Sequence, residues 1–375
     1  MRNRGKIGFI FIDEIHHIYH FITIAIALAK EKEVSIITFP AKHIFLRKEL
    51  NRLGGENVKI EKLSTDFFTN IIEKISKKKI PRASVWMKKN RNYIAENFDA
   101  IVFSDFIHHK FLQQEKIKQI PPIFKLAHGL PGRSRSYKKD LKDFDYQFLF
   151  GPFHLEEFKK RNLLAKDYKM IGFPKLEAIN SKQKNFFFNN KKNTVIYAPH
   201  FNKEYSSWYS LGRKILEYFY NQVDYNLIFA PHIQLFNSRK GISPKEIDQK
   251  FFNCSHMHID LGSQNSVDMT YMNSANIYLG DVSSQVYEFI IQPRPCIFIN
   301  VNNISWQENI DFRFWKCGDV VENITELKKA LNVQQKKFQA HYIKIQEKIN
   351  TENFYSEPNS TASERAANAI IEFLE

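Results

Sequence analysis

The stretch NIYLGDVSSQVYEF, residues 276–289, decides the fold. Its first half is a short, continuous apolar run, the pattern of a parallel strand buried on both faces. The run stops at Gly280, and Asp281, Val282, Ser283 and Ser284 come next. A helical pattern then begins. A strand that ends in small polar residues and passes directly into a helix is the building unit of an α/β fold. Such a seam suits a phosphate, because a helix start presents backbone N–H groups. It reads equally as an ordinary helix N-cap.

The same unit recurs on both sides. Upstream, TVIYAPH, YNLIFAPH and HIDL read as strands separated by helical patterns, and downstream PCIFINV reads as a further strand. Earlier still, KIGFIFI, EVSIITF, VKIEKL, DAIVFSD and IFKLAHG form a first series, with DEIHHIYHFITIAIALAKE and HIFLRKELNRLG as intervening helices. Between the series lies SKQKNFFFNNKKN, polar and turn-rich, which reads as a linker. The final stretches, NITELKKALNVQQKKFQAHYIKIQEKIN and STASERAANAIIEFLE, read as helices. The expected fold class is α/β: two doubly wound, Rossmann-like domains facing a cleft. The expected boundaries are 1–178 for the first domain, 179–350 for the second and 351–375 for a closing C-terminal helix.

With 375 residues, 43% of them apolar, the chain has material for two cores. Its formal net charge of +15 favours anionic partners: nucleic acid, an anionic membrane surface or phosphorylated substrates. The three cysteines, Cys254, Cys296 and Cys317, lack metal-site spacing, and their odd number fits a reduced, cytoplasmic protein. The basic start MRNRGK leads into an apolar run interrupted by Asp13, Glu14 and histidines. It is therefore expected to be neither a signal peptide nor a membrane span. The basic runs at residues 77–82 and 88–91 sit in no nucleic-acid module and read as solvated faces, suited to anionic lipid.

Ligands of doubly wound sheets bind beyond the carboxyl ends of the strands, so the informative residues should stand just past strands. Four strand ends carry candidates. LAHGLPGRSR places His128 there, with Arg133 and Arg135 close behind; YAPH places Pro199 and His200; FAPH places His232; LGDVSS places Asp281, Ser283 and Ser284. His128 suits a general base, or a loop-bonding histidine. The arginines suit phosphate oxygens, or solvent. His232 and His200 suit contact with a phosphate, or interior packing. Glu288, one helical turn past Ser284, suits a ribose hydroxyl, or is a plain helix residue. His16 and His20 share a helical face and suit contact with an acceptor, or helix surface; without a third ligand in register they do not read as a metal site.

Taken in order, these segments resemble the CDP-glycerol glycerophosphotransferase family, the enzymes of teichoic acid and related surface polymers. The resemblance runs from about residue 122 to residue 301. It rests on His128–Gly129, on GFPKLE with Gly172, Pro174, Lys175 and Glu177, on YAPH, on FAPH with His232, on GDVSSQVYEF, and on QPRPCIFIN. It implies a GT-B fold, a donor-binding C-terminal domain and an acceptor-binding N-terminal domain. It implies His128 as base on the acceptor hydroxyl and His232 as partner of the donor's pyrophosphate. Asp281, Ser283, Ser284, Pro199, His200, Gly172, Lys175 and Glu288 would line the donor; His16, His20, Arg133 and Arg135 would lie on the acceptor side. No metal or cofactor is implied. The expected activity is transfer of a phosphopolyol from a CDP-activated donor to a surface polysaccharide or lipid-linked acceptor, at the inner face of the cell membrane. The alternatives are a GT-B glycosyltransferase using a nucleotide sugar for capsule or lipopolysaccharide, a sugar-nucleotide epimerase, and a non-catalytic protein binding anionic lipid or nucleic acid.

Overall fold

The computed structural model describes residues 5–12, 15–39, 43–64, 82–113, 119–130, 132–180, 187–237 and 241–375. The chain forms two compact units. Met1–Pro131, Tyr137–Ser181 and Glu352–Glu375 make the first; Gly132–Ser136 and Lys182–Thr351 make the second. The C-terminal segment thus belongs to the body of the first unit.

The first unit is built on seven parallel strands: β1 (Lys6–Phe11), β2 (Glu33–Thr38), β3 (Lys59–Lys62), β4 (Ala100–Phe103), β5 (Ile123–Leu126), β6 (Tyr146–Leu149) and β7 (Asp167–Met170). Their order is β3-β2-β1-β4-β5-β6-β7. The central strands β1, β4 and β5 are buried almost throughout, as their largely apolar runs require. Strands β6 and β7 extend the sheet beyond the five read from the sequence. β7, with the sequence DYKM, is a partly exposed edge strand, so it carries no apolar run to announce it.

The second unit has six parallel strands: β8 (Thr194–Ala198), β9 (Asn226–Phe229), β10 (Met257–Ile259), β11 (Ile277–Gly280), β12 (Cys296–Ile299) and β13 (Asp319–Val321). The order is β10-β9-β8-β11-β12-β13, the doubly wound pattern in which strand order reverses between β8 and β11. The short edge strand β13 is not legible in the sequence. One core gathers Tyr197, Trp208, Phe219, Phe229, Leu279 and Ile297 with Leu327 and Leu331 of the helix Ile324–Lys337. Part of the expected linker is built into this unit: Phe187 packs its ring 4.7 Å from His258 and 5.1 Å from Tyr271. Residues 181–186 lie outside the described residues, as do 77–81 of the first basic run. The second run lies on the helix Arg82–Asn97, where Lys88 and Lys89 are exposed while Trp86, Met87 and Ile94 are buried.

The GFPKLE element is a socket for the C-terminal segment within the first unit. The helix Ala362–Leu374 begins in a capping box of Thr361 and Glu364 and packs on the helix Ile18–Leu28. Arg365 donates to the carbonyl of Ile171 at 2.9 and 2.6 Å, and Glu177 accepts from the Ser363 N–H at 3.2 Å. Gly172 stands at φ +85°, and a Cβ there would meet the Tyr355 carbonyl oxygen at 2.3 Å. Both left-handed backbone and close approach require glycine. Gly172→Ala should therefore destabilise the protein by about 2 kcal/mol or more; urea unfolding with an unchanged midpoint would refute this account.

Candidate functional site

In the first unit the site is assembled around His128, just past β5. Its Nδ1 lies 2.6 Å from the carbonyl oxygen of Ser104, just past β4. A carbonyl only accepts, so Nδ1 carries the proton, and in the neutral ring Nε2 is the basic nitrogen. His17 stacks on the same ring, centroids 4.2 Å apart and planes at 28°. Phe106 meets it edge-on at 6.5 Å. The ring is thus fixed by a hydrogen bond, a face contact and an edge contact.

His17 is a neighbour of His128 that the sequence pattern does not disclose. The periodicity starts the helix at Asp13 and pairs His16 with His20 across one turn. The α-helix begins only at Ile18, after a 3-10 turn Ile15–His17, and the change of period turns His17 onto His128. His20 corrects the expectation of an acceptor-lining residue: it is 2% exposed and packs 5.5 Å from Phe173. Asp13, Glu14 and the His16 side chain lie outside the described residues.

In the second unit the strand ends β8, β9 and β11 are tied into one edge. Asp281 has no exposed surface, and its Oδ2 accepts from the backbone N–H groups of His200 at 2.9 Å and Ser207 at 2.8 Å. The Pro199 carbonyl accepts from the His232 N–H at 3.0 Å. These bonds bring the His200 and His232 rings to 5.7 Å, with Phe201 packed against both at 4.6 Å. His200 Nδ1 accepts from the Asn202 N–H at 3.0 Å, and His232 Nδ1 accepts from the Gln234 N–H at 3.2 Å. A backbone N–H only donates, so in the neutral rings the proton sits on Nε2. Both histidines therefore present Nε2–H donors, the reverse of His128.

The turn after β11 differs from its expected form. The helix Gln285–Ile290 is only six residues long. The Gln285 N–H donates to Ser283 Oγ at 3.2 Å, the Val286 N–H to the Ser283 carbonyl at 3.3 Å, and the Tyr287 N–H to the Ser284 carbonyl at 3.1 Å. The N–H groups of Gln285, Val286 and Tyr287 are thus used inside the turn. Ser283 caps, while Ser284 makes no capping bond through its side chain. Asp281 was expected beside a phosphate; its buried carboxylate instead holds backbone donors. Glu288 is buried in the helix, 7% exposed.

Three further candidates change place. Gly172 and Lys175, expected on the donor side, belong to the first unit; Lys175 opens the helix Lys175–Asn180 and is 4% exposed. Arg133, expected on the acceptor side, belongs to the second unit, where its guanidinium lies 5.6 Å from the Tyr205 ring centre. The neighbouring Ser134 anchors that segment by donating its N–H and hydroxyl to Asp311 at 2.5 and 2.9 Å. The Arg135 side chain and Pro131 lie outside the described residues. Among the described residues no cluster of three or more His, Cys, Asp or Glu could hold a metal ion, and no helix is long and apolar enough to cross a membrane.

A family model described as CDP-glycerol:poly(glycerophosphate) glycerophosphotransferase matches residues 134–372. No curated protein matches the sequence. Solved structures share the fold. One is the UDP co-structure of S. aureus MnaA, at TM-score 0.63 and 13% identity, covering 99% of this chain and 97% of that one. Another is the wall teichoic acid polymerase TagF solved with CDPG, at TM-score 0.59 and 15% identity, covering 99% and 88%. A third is UDP-GlcNAc 2-epimerase from Neisseria meningitidis bound to UDP-GlcNAc, at TM-score 0.60 and 12% identity, covering 98% and 99%. Together they bear out the GT-B class.

Burial raises the pKa of Asp281 to about 7, against an ordinary value of 3.8. Between these values the folded chain holds a proton that the unfolded chain has lost, so this group's contribution to stability falls as pH rises from about 4 to about 7. Asp281→Asn keeps an oxygen for the two N–H groups without a charge to bury. The stability difference should therefore shift in the variant's favour by roughly 2–4 kcal/mol between about pH 5 and about pH 8. Calorimetry across that range checks it, and a shift of opposite sign would sink the assignment.

Proposed function

The chain belongs to the CDP-glycerol:poly(glycerophosphate) glycerophosphotransferase family, and from that premise we propose that it moves glycerol phosphate from CDP-glycerol onto a hydroxyl at the end of a polyanionic polymer or lipid-linked acceptor. The observation that carries the proposal is the contrast in tautomers. His128 offers a basic Nε2, while His200 and His232 offer Nε2–H donors.

Phosphoryl-group transfer needs both. The acceptor oxygen attacks the phosphorus that bears glycerol, and its proton passes to His128 Nε2. The bond from that phosphorus to the bridging oxygen breaks, and CMP departs with the electron pair. His232 and His200 hydrogen-bond the phosphate oxygens through Nε2–H, stabilising the charge that develops on the leaving side. The Ser284 hydroxyl, at the seam after β11, is a further phosphate ligand in this reading. Arg133 joins the second unit's donor-side residues.

The charge of +15 supports an anionic acceptor and a position at an anionic membrane surface. All three cysteines are free thiols, which supports a cytoplasmic location.

CMP release from CDP-glycerol, measured with poly(glycerol phosphate) as acceptor, tests the reading. A positioned general base typically contributes about 10²–10⁴-fold. His128→Asn should lose activity in that range with its melting temperature unchanged. His232→Asn should lower turnover by roughly 10²-fold, the scale of one removed charge-stabilising donor. Undiminished CMP release by His128→Asn would refute the base. UDP release from a nucleotide sugar, with no response to CDP-glycerol, would move the function to glycosyl transfer.

A further inference from the structure

Residues 104–106 leave β4 and reach the helix His108–Leu112 without a strand partner, yet each of their carbonyls is satisfied. Each receives a side chain. Ser104 O takes His128 Nδ1–H at 2.6 Å, Asp105 O takes Lys125 Nζ at 2.5 Å, and Phe106 O takes His109 Nδ1–H at 2.7 Å. Asp105 also accepts the Ile107 N–H on Oδ1 at 3.0 Å. Lys125 is the unusual member. It lies inside β5 in register with Phe103 and is 4% exposed. An ammonium group is costly to bury, and an apolar residue would suit a parallel strand better. Its Nζ lies 4.1 Å from the Phe106 ring centre, and that ring touches His128 edge-on. Lys138 approaches the same ring at 4.0 Å.

Lys125 and His128 thus project from one strand and its end, and they grip two successive carbonyls of one turn. We infer that Lys125 is a positioning residue for His128, holding the turn whose Ser104 carbonyl sets the orientation and tautomer of the imidazole. Burial pulls the Lys125 pKa down to about 7, and Nζ keeps hydrogens to donate in either protonation state. The inference rests on His128 being the base of the proposed reaction.

The test is Lys125→Met, which keeps length and apolar bulk but removes the donor. Turnover should fall about 10–100-fold, a fraction of the general-base contribution, while KM for CDP-glycerol stays within about twofold, because the donor is held by other residues. Imidazole ¹⁵N shifts of His128, assigned by comparison with His128→Asn, should show the Nδ1–H tautomer in wild type and a mixture in Lys125→Met. Lys125→Gln, whose amide still offers N–H groups, should recover part of the turnover. If Lys125→Met fails to fold, Lys125→Gln against wild type carries the same two readouts. Wild-type turnover or an unchanged tautomer in Lys125→Met, or wild-type turnover in Lys125→Gln where Lys125→Met does not fold, with His128→Asn inactive, overturns the inference and leaves the proposed function standing. An active His128→Asn overturns the base itself, and with it this role for Lys125.

Discussion

A carboxylate with no exposed surface organises the working edge of the second unit. Asp281 stands one residue past β11, where the strand order reverses against β8, and its bonds run to the segment just past β8. Burying a carboxylate is costly unless donors surround it. Here two backbone N–H groups converge on one oxygen, while Oδ1 has no hydrogen-bond partner among the described residues. The cost is reduced, though not removed, because those two N–H groups, themselves buried beyond the end of β8, need an acceptor. What results is a fixed start for two segments, one carrying His200 and the other the turn at Trp208. The bond from His232 to Pro199 extends the order to β9.

The first unit meets the same constraint with the polarity reversed. At its reversal point, between β1 and β4, backbone carbonyls rather than N–H groups need partners. Side-chain donors from β5 and from the helix His108–Leu112 supply them. The His128 ring is therefore drawn across from the end of β5 toward the ends of β4 and β1, where His17 covers its face. In one unit an acidic side chain collects backbone donors; in the other, backbone acceptors collect basic side chains.

Much of this is legible in the sequence, and the exceptions have physical causes. Buried parallel strands are continuous apolar runs, so β1, β2, β4, β5, β8, β9, β11 and β12 declare themselves. β7 and β13 do not, because edge strands are short or polar. The histidines after β5, β8 and β9 stand where a doubly wound sheet meets its ligands, so their position alone singles them out. Their roles are less accessible, since a tautomer depends on which backbone group the other nitrogen meets. His17 escapes notice because its placement hinges on a 3-10 turn that periodicity does not reveal. Asp281 draws attention by its acidity, but the sequence carries no sign of which way a carboxylate turns. GFPKLE looks like part of the donor site, yet its partners lie far along the chain, at Tyr355, Ser363 and Arg365.

The two kinds of histidine also differ in where their chemistry is encoded. In YAPHFN and FAPHIQ the tautomer-setting N–H belongs to the residue two places on, Asn202 or Gln234. That bond closes within a tight local turn, so the Nε2–H donors form wherever the segment takes this shape. His128 is set by a carbonyl 24 residues away in sequence, on a neighbouring strand. Its basic nitrogen exists as such only when β4 and β5 are paired and the turn after β4 holds its shape. Local encoding makes the donors robust to change elsewhere in the sheet. Non-local encoding makes the His128 tautomer a property of the folded unit, tied to the turn whose next carbonyl is held by Lys125.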